Sequence, residues 1–288
     1  MKIKYQEVAG KFDKLIHLTE FSNEIDPATL YFKKNTVEYL THGEFHDQKL
    51  SIDKRVSYIL NNYGYRSEDF NLLDQSKNNI LFSGCSSTFG IGLPEKYTWT
   101  KQLYNDLPIP NKGPFQSLGS PGASAERIIS NIFKYCKNFG NPKYIFISFQ
   151  DYTREMKYVE SKSQFTNHIN VNYETLSLDV EEGYDVYLIF KFQLLYRTLE
   201  AYCNSNSIVL RATSWDTPTA NILSKIFPES FMDLYIDLNK YIENFNIDAV
   251  DSTYKDFLSV GRDGHHPGII QQRMIADMFA ENLKQLTT

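Results

Sequence analysis

From about Asn79 onward the chain alternates short apolar runs with helix-length amphipathic segments, the pattern of a parallel sheet covered by helices. The clearest strand is KYIFIS, Lys143 to Ser148, a continuous apolar run suited to burial on both faces. NILFS, Asn79 to Ser83, and SIVLRA, Ser207 to Ala212, read the same way. Between NILFS and KYIFIS, Ile128, Ile129, Ile132, Phe133 and Cys136 recur at helical spacing and are stopped by Asn138 to Gly140. The apolar segment Tyr184 to Cys203 reads as a core-facing crossover helix ahead of the third strand. Ile270, Met274, Ile275, Met278 and Phe279 mark an amphipathic helix that begins soon after Pro267 and Gly268. The expected fold class is α/β, with a body spanning 79–288. Residues 1–78 have mixed polarity and isolated aromatics, and are expected to form an N-terminal extension of β and loop character packed on that body. Glu155 to Gly183 is polar and reads as an irregular insertion over one end of the sheet, where a lid or specificity loop could sit.

Composition narrows the function classes. The 288 residues carry 30 basic and 35 acidic side chains, a net charge of -5. Such a balance lacks the concentrated positive field that polynucleotides require, so no nucleic-acid partner is expected. No run approaches the roughly 20 apolar residues of a membrane helix, and MKIKYQEVAGKFDK has no signal-peptide core. The chain is therefore expected to be soluble, without a signal peptide. Cys85, Cys136 and Cys203 are an odd, widely spaced set with no CxxC pair, which fits a reducing compartment better than a disulfide framework or a zinc site.

Two segments hold residues suited to chemistry. FSGCSSTFGIG, Phe82 to Gly92, stands where a buried strand ends and a loop begins. Ligands of open parallel sheets bind at the carboxyl ends of strands, which makes Ser86 a candidate nucleophile; an ordinary glycine- and serine-rich turn is the competing reading. Neither GxxxxGK[ST] nor GxGxxG is present, so a phosphate loop is a poor rival. The second segment is DGHHPG, Asp263 to Gly268. An Asp and a His three positions apart on a loop can point into one site, the carboxylate orienting a ring that serves as base, although a capping turn would look the same. A serine after the first strand and this pair before the last helix lie on the same edge of a doubly wound sheet.

On these residues the chain resembles the SGNH, or GDSL-type, hydrolases. GCSSTFG, Gly84 to Gly90, resembles their GDSxTxG block with Cys85 in place of Asp; LGSPGAS, Leu118 to Ser124, resembles the glycine-bearing second block; DGHHP, Asp263 to Pro267, resembles the closing DxxHP block. The GCSxTxG variant is similar to relatives from phages and bacteria. The resemblance implies a flavodoxin-like three-layer α/β/α sandwich and a serine esterase that needs no metal or cofactor. Ser86 would attack an acyl carbonyl, His266 would shuttle the proton, and Asp263 would hold the imidazole tautomer. The backbone N–H groups of Ser86 and Gly122 would receive the oxyanion.

The chain departs from the family at the third block, where IFISFQDYTRE, Ile145 to Glu155, lacks the family's Asn. Gln150 has a comparable amide and is the candidate replacement; Arg154 is a candidate for binding substrate. Cys85 reads as a buried small side chain and not as a second nucleophile. Arg66, in NNYGYRSEDF, either approaches the site or makes a structural salt bridge. The expected partner is a small acyl ester, with O-acetyl groups on carbohydrate the leading guess. Homo-oligomer or virion subunit contacts are also expected partners, and the competing class is a fold-retaining binding or structural module, for example a phage particle component. The expected location is the cytoplasm or an assembled virus particle.

Overall fold

The computed structural model of the chain describes residues 37–38, 56, 58–159, 164–169, 184–234, 238–261 and 266–287. Val37–Glu38 (β1) pairs antiparallel with Tyr58–Ile59 (β2) ahead of the body. Then follow Ile80–Gly84 (β3), Ser86–Phe89 (α1), Trp99–Asp106 (α2), Gln116–Gly119 (β4), Ala125–Phe139 (α3), Tyr144–Phe149 (β5), Arg154–Val159 (β6), Gln164–Ile169 (β7), Tyr184–Ser205 (α4), Val209–Ser214 (β8), Thr217–Ile226 (α5), Leu238–Asn244 (α6) and Ile269–Thr287 (α7).

The central sheet has the order β4-β3-β5-β8, every neighbouring pair parallel. Successive strand residues point to opposite faces, so one apolar run feeds two cores. Leu81, Ile145, Ile147, Leu210 and Ala212 pack with Ile128, Ile132 and Tyr135 of α3, Phe192, Tyr196 and Leu199 of α4, and Leu223 of α5. On the other face Ile80, Phe82 and Phe146 meet Trp99 and Leu103 of α2 and Ile275 and Phe279 of α7. The result is a three-layer α/β/α sandwich around a parallel sheet, as the sequence pattern predicts. The buried stripe of α4, Leu188, Phe192, Tyr196, Leu199 and Cys203, keeps helical spacing and makes it the crossover from β5 to β8.

Two features differ from expectation. QSLG forms β4, a fourth buried strand that its short and half-polar sequence conceals; Tyr135 Oη donates to Gln116 Oε1 at 2.9 Å, which satisfies part of its buried amide. Glu155 to Gly183 is not irregular where it is described: β6 and β7 form an antiparallel pair. A two-stranded ribbon satisfies its backbone across the pair and tolerates polar residues on its faces, so polarity alone does not signal a loop. Residues 160–163 and 170–183 lie outside the described residues.

Of the N-terminal region, Val56, Tyr58 and Leu60 are buried against Phe89, Ile91, Leu93, Val250, Phe257 and Ile269, while Tyr65 and Phe70 join the core beneath α3. No helix among the described residues is long and apolar enough to cross a membrane.

Candidate active site

Glycine seats the turn after β3 directly on the sheet edge. A Cβ on Gly84 would lie 2.0 Å from Thr88 Oγ1 and 2.4 Å from the Ser148 carbonyl oxygen. Both distances are far inside contact, so any larger residue would lift α1 off the strand. Cys85 is fully buried at the N-cap, and Ser86 is the first residue of α1, 5% exposed. The Ser86 carbonyl accepts from the Gly90 and Ile91 N–H groups at 2.9 and 3.2 Å, and Gly90 ends the turn in the left-handed region.

Sheet register brings the other candidates to the same edge. Gly84 stands opposite Gly119 on one side and Ser148 on the other, so Ser86, Gln150 and the loop after β4 leave the sheet at one level. That loop is a tight turn: Ser120 N–H donates to the Gly84 carbonyl at 3.0 Å and Ala123 N–H to the Ser120 carbonyl at 3.1 Å. Pro121 and Gly122 take its central positions, with Gly122 at φ +74°, the arrangement of a type II turn. Among the described residues no acceptor takes the Gly122 N–H, and a Cβ built there meets nothing within 4 Å. Gly122 therefore borders open space beside Ser86's end of the sheet.

Gln150 Nε2 donates to Ser87 Oγ at 3.3 Å, one residue past the candidate nucleophile, and the Gln150 carbonyl accepts from Ser214 Oγ at 2.5 Å. Asp151 is turned into its own loop, accepting from Thr153 N–H at 3.0 Å and from the Thr153 hydroxyl. Its other oxygen accepts from Arg154 Nε at 3.3 Å. Arg154 is thus engaged in an ion pair in which both side chains are about one-fifth exposed, at 17% and 21%.

His266 is half-buried at the foot of α7. Its carbonyl accepts from Gly261 N–H at 2.8 Å, Val260 bridges Pro267, and Gly268 N–H donates to the Ser259 carbonyl at 3.2 Å. Asp263 and His265 lie outside the described residues. Among the described residues no hydrogen bond joins Ser86 Oγ to His266.

One residue emerges that the sequence did not single out, Gln272, and Arg66 proves to bond backbone carbonyls near the site. Gln272, fully buried on α7, accepts from Trp99 N–H at 2.8 Å and donates to the Ser87 carbonyl at 3.0 Å. Arg66, also buried, donates to the Phe89, Gly90 and Leu93 carbonyls at 3.2, 3.0 and 3.0 Å and lies 4.9 Å from the Tyr58 ring centroid. It fastens the end of α1 through carbonyls. Burial pulls its guanidinium pKa below the ordinary value, opposed by the charges of Tyr58 and Glu95. Only the position of Arg66 in NNYGYRSEDF gave a sequence signal; a glutamine within a helical pattern gives none.

A separate cleft of about 420 Å³ is lined by Tyr97, Tyr241, Phe245, Ile269, Arg273 and Asp277, among others. None of Ser86, Gly122, Gln150 or His266 lines it.

No protein-family model matches the chain, and no curated protein matches it either. Among solved structures it is similar to a putative lipolytic protein of the G-D-S-L family from Desulfitobacterium hafniense, at 12% identity, 72% of this chain, 99% of that one and a TM-score of 0.41. It is also similar to the psychrotrophic esterase EstA from Pseudoalteromonas, at 12% identity, 73% and 99% coverage and a TM-score of 0.42. A G-D-S-L family lipolytic protein from Veillonella parvula matches at 15% identity, 70% and 96% coverage and a TM-score of 0.41.

Proposed function

We propose that the chain is a serine-dependent ester hydrolase of SGNH type, with the chemistry carried by the body 79–288 and residues 1–78 as an extension packed on it. The observation that carries the reading is the shared edge. Gly84, Gly119 and Ser148 stand in register, so Ser86, the Gly122 turn and Gln150 converge. The helix that follows His266 is bonded to the neighbouring residue Ser87.

On this reading Ser86 Oγ attacks the acyl carbonyl while His266 takes its proton. The tetrahedral intermediate collapses to an acyl-serine, and the same proton passes to the departing alkoxide. Water then attacks the acyl-serine, with His266 again accepting a proton and returning it to Ser86 as the carboxylic acid leaves. Asp263 holds the imidazole in the tautomer that leaves the attacking nitrogen unprotonated. The Ser86 and Gly122 N–H groups receive the oxyanion, each worth about 3 kcal/mol of transition-state stabilisation. Gln150 supplies a third donor if its amide leaves Ser87 Oγ as substrate arrives. Arg154 contributes to substrate binding only by releasing Asp151. The substrate class we favour is an O-acetyl group on carbohydrate, an expectation that rests on the family resemblance.

The test is hydrolysis of p-nitrophenyl acetate and of an acetylated sugar by the wild-type chain, Ser86→Ala and His266→Ala. Turnover lost in both variants with folding retained supports the reading. A folded wild type inert on both substrates favours a fold-retaining binding module, in a phage particle or elsewhere.

A further inference from the structure

The turn that carries Ser86 is gripped from several directions, and the grips fall on its neighbours. Ser87 Oγ accepts from Gln150 of the β5 loop. Thr88 Oγ1 accepts from Trp99 Nε1 of α2 at 3.3 Å. The Phe89 and Gly90 carbonyls accept from Arg66. The Ser87 carbonyl accepts from Gln272 of α7. A four-residue helix leaves most of its carbonyls without partners inside itself, so these outside donors set where it lies.

Gln272 differs from the rest in what it connects. Its amide is fully buried and used at both ends: the carbonyl oxygen caps the first N–H of α2 at Trp99, and the amide nitrogen reaches Ser87. It sits in the first turns of α7, which starts three residues after His266. One side chain thereby couples the segment holding the candidate base to the segment holding the candidate nucleophile, in the absence of any Ser86–His266 hydrogen bond among the described residues.

We infer that Gln272 is a positioning residue for ester hydrolysis: through the Ser87 carbonyl it fixes the helix after His266 against the turn of Ser86. The inference rests on the proposed function. A buried amide bonded at both ends also stabilises the fold, so the test must read geometry separately from stability. Gln272→Met keeps length and removes both hydrogen bonds; Gln272→Leu removes both with a smaller side chain, whereas a buried glutamate would keep a proton and still donate to Ser87.

Each variant is assayed on p-nitrophenyl acetate well below its melting temperature, and its rate of phosphorylation by diethyl p-nitrophenyl phosphate is measured. We expect kcat to fall about 10- to 100-fold in both, the cost of a misplacement near 1 Å, with KM within about twofold and phosphorylation slowed in proportion. If Gln272→Met does not fold, Gln272→Leu alone decides. Wild-type kcat in a folded Gln272→Met or Gln272→Leu, or a loss that disappears on cooling with the melting temperature lowered, overturns the positioning role and leaves the ester-hydrolase reading intact. A folded wild type that neither turns over nor takes up the phosphoryl group overturns both.

Discussion

The two segments that would supply nucleophile and base are held in opposite ways. The turn from Ser86 to Gly90 is fixed by side chains from outside it: Arg66 bonds Phe89 and Gly90, Trp99 bonds Thr88, and Gln150 and Gln272 bond Ser87. The described residues around His266 are fixed by short-range backbone pairing: Gly261 with His266, Val260 with Pro267, Ser259 with Gly268 and Leu258 with Ile270. The first arrangement ties a nucleophile's direction to the core. The second makes the base depend on the loop and on the helix behind it, and Gln272 is where the two meet.

The largest break in the comparison is chemical. Ser86→Ala and His266→Ala are each expected to lower kcat by at least about 10³-fold with the melting temperature little changed, because removal of either partner disables a unit that acts together. Steady-state kinetics and a thermal melt check this together.

Arg66→Met attacks the grip itself. It keeps the apolar stem and removes the guanidinium from three buried carbonyls, of which that of Gly90 keeps the Leu93 N–H. A loss of about 3 kcal/mol is expected, read as a lower urea midpoint at unchanged slope. An equal loss from Tyr135→Phe, whose hydroxyl bonds Gln116 in the core, would show that the turn is not specially dependent on its clamps.

Gly122→Ala should cost about 1–2 kcal/mol of stability from the positive φ, since no neighbour stands in the way of the new methyl. Differential scanning calorimetry reads it. A loss of 4 kcal/mol or more would mean that the space beside the turn is filled.

The smallest expected effect concerns the thiols. Burial pushes the Cys136 thiol up to about 11 and that of Cys203 up to about 12, and Cys85 is fully buried at the N-cap of α1. At pH 8, three units or more below those values, both thiols stay protonated. Ellman's reagent should therefore leave all three cysteines unreacted in the native state and titrate them after unfolding. Rapid native labelling at Cys85 would put a reactive thiol beside Ser86.

Legibility in the sequence followed the range of the interactions. The cores of β3, β5 and β8 were readable within one or two residues, because strands buried on both faces must be continuously apolar. The helix α3 was readable from its isoleucine spacing and its closing glycine. QSLG was not readable: four residues with two polar side chains carry no period, and only the parallel register against β3 makes them a strand. Ser86 could be picked out by residue type and place, Gly122 and Gln150 through the family resemblance, and the register of three strands brings all three to one edge. Gln272 could not, since its bond to Ser87 spans 185 residues and no local pattern encodes it. The ion pair of Asp151 with Arg154, three positions apart, takes up the arginine's charge at this edge.

The most direct test of a Ser86 nucleophile at this edge is intact-mass and peptide mapping after incubation with diethyl p-nitrophenyl phosphate. The account predicts one diethylphosphoryl group per chain, on Ser86, formed in the wild type and strongly slowed in His266→Ala. A folded wild type that stays unmodified, or an adduct on Ser87 in place of Ser86, would contradict it.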